Sequence, residues 1–200
     1  MAEFEHSIRC TITNRSDYPI DFVWENAQDM EHIGFLHRNT NFDFSIVDLE
    51  PDLSNKFLYQ SLSYLVKRKM LGFLPLNTFG HRKIISKYEL WQVEYCPFLG
   101  ISTFLRSTLK ANSKNPDHTD MIDYVEIFTP SIYKYFGPIF TWSLKRHARK
   151  QCLEDEPFRM RRKELYDRNL NIPPSILQKT IWEKVTNNYL AHKKQENLDT

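Results

Sequence analysis

Thr119-Asp120-Met121-Ile122-Asp123-Tyr124-Val125-Glu126-Ile127-Phe128, followed across Thr129-Pro130 by Ser131-Ile132-Tyr133-Lys134-Tyr135-Phe136, is the stretch on which the fold turns. Its first ten residues read as a strand, with aromatic and β-branched side chains between turn signals. From Ser131 the pattern changes to helix. Ile132, Tyr135, Phe136, Ile139, Phe140 and Trp142 are followed by a long charged stretch to about Asn169. Pro157 is placed to kink or divide that helix.

Working back from this switch, strand-like runs occupy 41–48, 56–66, 83–95 and 100–109, and residues 111–118 form a polar turn. Lys87-Tyr88-Glu89-Leu90-Trp91-Gln92-Val93-Glu94-Tyr95 shows the polar–apolar alternation of a half-buried strand. Residues 7–13 read as a first strand and Asn14 to Asp17 as a turn. Pro19 is suited to open a helix through Phe22, Val23, Trp24 and Ala27 to about His32, weakened or ended by Gly34. Working forward, Asn171-Ile172-Pro173-Pro174 is a break, then a short helix over 175–192 and a polar tail. The order is strand, helix, a run of antiparallel strands and a long C-terminal helix. It predicts an α+β helix-grip fold in which a curved antiparallel sheet wraps the long helix and leaves a pocket between them. The expected domain spans 1–172, with 173–200 as an extension.

Two hundred residues suffice for one domain with a proper core. The aromatic share, 14%, suits a β-rich fold around an apolar cavity. A net charge of +2 gives no global attraction to nucleic acid. Cys10, Cys96 and Cys152 lie far apart with no CxxC spacing, which supports neither a zinc knuckle nor a redox pair. The odd count and the lack of a signal-peptide pattern lead us to expect a reducing cytoplasm. No apolar run approaches the roughly 20 residues of a membrane span.

Glu25-Asn26-Ala27-Gln28-Asp29-Met30-Glu31-His32-Ile33-Gly34-Phe35-Leu36-His37 carries the chemistry. Neutral imidazole is the commonest transition-metal side-chain ligand, and two of them with one carboxylate make an open three-ligand site. Asp29 and His32 share a helix face, whereas His32 and His37 fall roughly 140° apart on a straight helix. They meet at one metal only if the helix is distorted or ends between them, where Gly34 lies.

The Asp-x-x-His-x-x-x-x-His run after Glu-Asn resembles the catalytic domain of Rieske non-haem iron oxygenases. The resemblance implies that His32 and His37 bind Fe(II), and that Asp29 serves catalysis by linking the iron to a neighbouring subunit's cluster. It implies a third ligand on the C-terminal helix in an acidic pair before proline. Here that is Glu154-Asp155-Glu156-Pro157, with Asp155 at the matching position and Glu154 or Glu156 as alternatives. The chain departs from the family in that no cysteine is followed by the histidines that a Rieske cluster needs. A separate ferredoxin or reductase would then supply electrons, and the substrate would be an apolar or aromatic small molecule.

The alternative on the same scaffold is a non-catalytic START-like protein that binds a hydrophobic ligand, or a cyclase-like protein. Lys145-Arg146-His147-Ala148-Arg149-Lys150 and Arg159-Met160-Arg161-Arg162-Lys163 are locally basic and offer contacts to phosphate or anionic lipid. Such runs are more often a solvated helix face, so no nucleic-acid partner is expected. His81, His118, His147 and His192 lie in polar surroundings and receive no role.

Overall fold

The computed structural model describes residues 6–28, 41–54, 56–70 and 74–168. Strand β1 (His6–Ser16) leads into helix α1 (Ile20–Gln28). Six strands follow: β2 (Asn41–Glu50), β3 (Ser61–Met70), β4 (Leu74–Ser86), β5 (Glu89–Cys96), β6 (Ile101–Ala111) and β7 (Thr119–Thr129). A 3-10 segment, Ser131–Phe136, precedes the long helix α2 (Gly137–Asp167). The strands make one antiparallel sheet in the order β1-β7-β6-β5-β4-β3-β2. With the C-terminal helix packed across it, this is the α+β helix-grip arrangement.

Local chemistry accounts for the elements. At the start of α1, Val23 N–H donates to the carbonyl of Pro19 at 3.1 Å, so the proline opens the helix without losing a hydrogen bond of its own. Val23 and Trp24 are buried there, and Trp24 meets Phe57 and Tyr88 edge-on at ring-centroid distances of 6.2 and 6.0 Å. Around them Tyr59, Leu49, Leu62 and Val66 complete a sealed apolar core. A second cluster, Ile12, Ile101, Val125 and Ile127, receives Phe140, Leu144 and Ala148 from α2. These three recur every fourth residue, the repeat of one helix face.

Several expectations are corrected. The run 56–66 becomes a strand only at Ser61. The run 83–95 is two strands, β4 and β5, joined by a tight turn in which Tyr88 takes φ 74°. The first of these two strands also begins earlier than the run at 83, since residues 74–82 form most of β4. The last helix begins as a 3-10 segment, and α2 runs through Pro157 rather than dividing there. Helix α1 is described to Gln28; its expected course to His32, and the extension 173–200, lie outside the described residues.

Strand β5 shows how the sheet positions a site. Leu90, Gln92, Glu94 and Cys96 face inward, while Trp91, Val93 and Tyr95 stand on the outer face. The alternation seen in the sequence is real, but two of the inward positions are polar.

Candidate functional site

A cavity of about 300 Å³ lies between the concave face of the sheet and α2. Such a volume is at the lower end of the roughly 300–1,000 Å³ typical of small-molecule sites. Ile12, Leu105, Leu109, Met121 and Val125 from the sheet and Leu144 from α2 supply its apolar lining. The rest is strongly polar. Three guanidinium groups, Arg68, Arg82 and Arg159, and three carboxyl groups, Glu94, Asp123 and Asp155, line it together with His147 and Gln151.

The charged wall is held by a chain of hydrogen bonds across strands β3 to β5. Glu94 Oε1 accepts from Tyr64 Oη at 2.6 Å, from Gln92 Nε2 at 2.9 Å, and from Arg68 Nη2. Gln92 Oε1 in turn accepts from Arg82 Nε at 2.8 Å. Arg82 Nη1 donates to the carbonyl of Ala27 at 2.9 Å. This bond ties the end of α1 to the cavity floor. Buried polar groups are stable only when so paired.

Gly80 makes the Tyr64–Glu94 bond sterically feasible. In register it lies between the two, opposite Tyr64 on β3 and opposite Glu94 on β5. A Cβ at Gly80 would stand 2.1 Å from Cζ of Tyr64, so only glycine lets the phenol lie across the strand and reach the carboxylate. Burial, and secondarily the adjacent Glu94 charge, holds the Tyr64 hydroxyl well above its ordinary pKa, so it stays a donor.

On β7, Asp123 faces the cavity opposite Ser107 of β6. Burial raises its pKa, and this outweighs the opposing hydrogen bond from Ser107 and the charge of Arg82. The side chain is only half-buried by surface area because it borders the cavity; the surrounding protein still restricts hydration of its charge. A carboxyl biased toward its neutral form can donate a hydrogen bond or a proton to a bound molecule. The Cys152 thiol is pushed up to about 11, chiefly by burial, and is therefore not a thiolate nucleophile at neutral pH.

Helix α2 supplies the opposite wall. Asp155 is 7% exposed and Arg159 4%, and Arg159 Nη2 donates to Asp155 Oδ2 at 3.0 Å one turn away. Among the three acids considered at this position, Asp155 lines the cavity, while Glu156 lies 4.0 Å from Arg159 with a 41% exposed side chain. Asp29, His32 and His37 lie outside the described residues. Ala27, near the end of the helix that leads to them, is on the cavity wall. Among the described residues no group of three His, Cys, Asp or Glu side chains could hold a metal ion.

The sequence reading did not identify Arg68, Arg82, Gln92, Glu94, Asp123 or His147 as site residues. One signal was available: counting by twos from Leu90 places Gln92 and Glu94 on the inner face of β5. His147 read as one member of an exposed basic run, yet it lines the cavity.

No protein-family model matches the chain, and no curated protein matches its sequence. Solved structures do match. The structure of Ara h 8.0201 aligns over 78% of this chain and 99% of its own, with TM-score 0.58 and 10% identity. A START superfamily protein from Mycobacterium smegmatis aligns over 79% and 99%, with TM-score 0.55 and 10% identity. The Zhui aromatase/cyclase from Streptomyces sp. R1128 aligns over 83% and 99%, with TM-score 0.55 and 13% identity. At such identities the fold alone is shared, and it is the helix-grip fold of START-like proteins. The narrower likeness to Rieske oxygenases gains no support from these structures. Among the described residues no helix is long and apolar enough to cross a membrane.

Proposed function

We propose that this protein binds an apolar or aromatic small molecule bearing a hydrogen-bonding end, in the cavity between the sheet and α2. The observation that carries the reading is the cavity's mixed lining. Leu105, Leu109, Met121, Val125 and Leu144 offer an apolar surface beside arginine and carboxyl groups fixed by the Glu94 network and the Asp155–Arg159 pair. Burial of the apolar part supplies affinity, and the fixed polar groups select orientation. The START superfamily protein and the aromatase/cyclase on the same fold support a ligand-binding or cyclase-like role over an oxygenase.

The test is displacement of the fluorescent probe anilinonaphthalene sulfonate, together with mass spectrometry of any compound extracted from the purified protein. Leu105→Trp, which fills the cavity from the apolar lining, should abolish probe binding at unchanged secondary structure. Equal probe binding by the wild type and Leu105→Trp would overturn the reading.

A second reading places Fe(II) at His32, His37 and Asp155, with Asp29 as an electron link and a ferredoxin or reductase as donor. One observation favours it: Asp155, on the C-terminal helix, lines the cavity that Ala27 also borders. Its fit is poor at one point, because the Asp155 carboxylate already accepts from Arg159, whose buried positive charge opposes a nearby dication. We derive no chemical step from it.

A further inference from the structure

The outer side of the C-terminal helical segment differs from the rest of the surface. Ile132, Tyr135, Phe136, Ile139 and Trp142 are 47–79% exposed, although each is large and apolar. A compact chain rarely leaves such a run of side chains in water unless something covers it. Lys134, Lys145, Arg146, Arg149 and Lys150 are exposed along the same segment. From Ser131 to Cys152 the sequence holds these five cations and no carboxylate. Among the described residues, none of the five takes part in a salt bridge. Arg146 sits 5.4 Å from the centroid of Trp142 and Lys134 4.7 Å from that of Tyr135, so cations and rings form one surface.

We infer that this face docks on a membrane surface rich in anionic phospholipid. Both halves of the pattern are needed there. Aromatic and aliphatic side chains enter the boundary between headgroups and acyl chains, and lysine and arginine meet the phosphates. A nucleic-acid groove would use the cations and leave the five apolar side chains without a role. The inference is independent of any ligand in the cavity, because it rests on the opposite face of the helix. Phe140, Leu144 and Ala148 point inward from the same turns, so docking would bring the cavity within about one helix diameter, roughly 10 Å, of the bilayer.

The experiment is co-sedimentation of the full chain with vesicles of phosphatidylcholine alone and of phosphatidylcholine containing a quarter phosphatidylserine. Binding should be at least about tenfold stronger to the anionic vesicles and should weaken as salt is raised. The triple variant Lys145→Glu/Arg146→Glu/Arg149→Glu and the double variant Ile139→Ser/Trp142→Ser should each lose at least about tenfold in affinity. All five residues are exposed, so circular dichroism and melting temperature should stay unchanged. A blue shift of tryptophan emission on vesicle addition should be smaller in Trp142→Phe. No binding to anionic vesicles would overturn the inference. So would binding that the charge reversals leave intact. Binding to vesicles and heparin alike that Ile139→Ser/Trp142→Ser leaves intact would make the face a simple polyanion site, and would overturn it too.

Discussion

The core beneath α1 and the cavity beneath α2 stand on one sheet and use the same two-residue alternation, yet they end differently. Around Tyr59, Leu49, Leu62 and Val66 the inward side chains are apolar and close-packed, and little surface is left to water. Around Glu94, Gln92, Arg82 and Asp123 the inward side chains are polar, and space remains. The difference shows that on this sheet polarity and room occur together. A charged inward residue is stable only where a neighbouring strand supplies its partner or the cavity leaves it hydrated, and both conditions hold on β4 to β7.

Three perturbations would break or sharpen this contrast. The largest effect is expected at the Asp155–Arg159 pair. Arg159→Leu removes the guanidinium from a buried carboxylate and should cost about 3–5 kcal/mol in urea unfolding, and Asp155→Leu/Arg159→Leu should recover much of the loss. A single-variant cost below about 1 kcal/mol would mean that water screens the pair as it screens surface pairs. Next comes packing. Leu49→Ala in the sealed core should cost about 3 kcal/mol, whereas Leu105→Ala on the cavity wall should cost about 1 kcal/mol, because its side chain is already partly unpacked. Equal costs would show that the two regions pack alike.

The smallest effect is expected at Asp123. Its carboxyl pKa is raised by burial, so the folded chain holds that proton more tightly than the unfolded chain does. Its stabilising contribution is therefore full below the unfolded value, near pH 4, and is lost as pH rises through the raised folded value. Asp123→Asn removes the ionisation. The variant should melt about 2 °C above the wild type at pH 7 and show no such gain at pH 4. A gain of the same size at both values would assign the effect to packing.

Much of the fold was legible because its signals are local. The change of pattern at Ser131 marked the boundary between sheet and helix, and Pro19 marked the opening of α1. Asp155 was picked out by resemblance, and the structure places it on the cavity wall. The rest depends on partners far away in sequence. Gly80 reads as a strand breaker by itself, and its purpose appears only when Tyr64 and Glu94 stand on either side of it. Hydrophobicity alone would turn Trp91, Val93 and Tyr95 inward. The structure turns Gln92 and Glu94 inward instead, because Arg68, Tyr64 and Arg82 arrive from other strands to satisfy them. His147 faces the cavity for a similar reason: the packing of Phe140, Leu144 and Ala148 fixes which side of α2 is inside.

The order of strands also sets a timetable for synthesis. Each of β2 to β6 pairs with the strand made immediately after it, so hairpins can close as the chain emerges. Among the described strands, β1 pairs only with β7, placing Ile8 opposite Ile127 and Arg9 opposite Glu126, 117 positions later. The earliest of these strands to be made is therefore the last to find its place. At ordinary translation rates it waits on the order of ten seconds with its edge unpaired, the interval in which this chain most needs a chaperone.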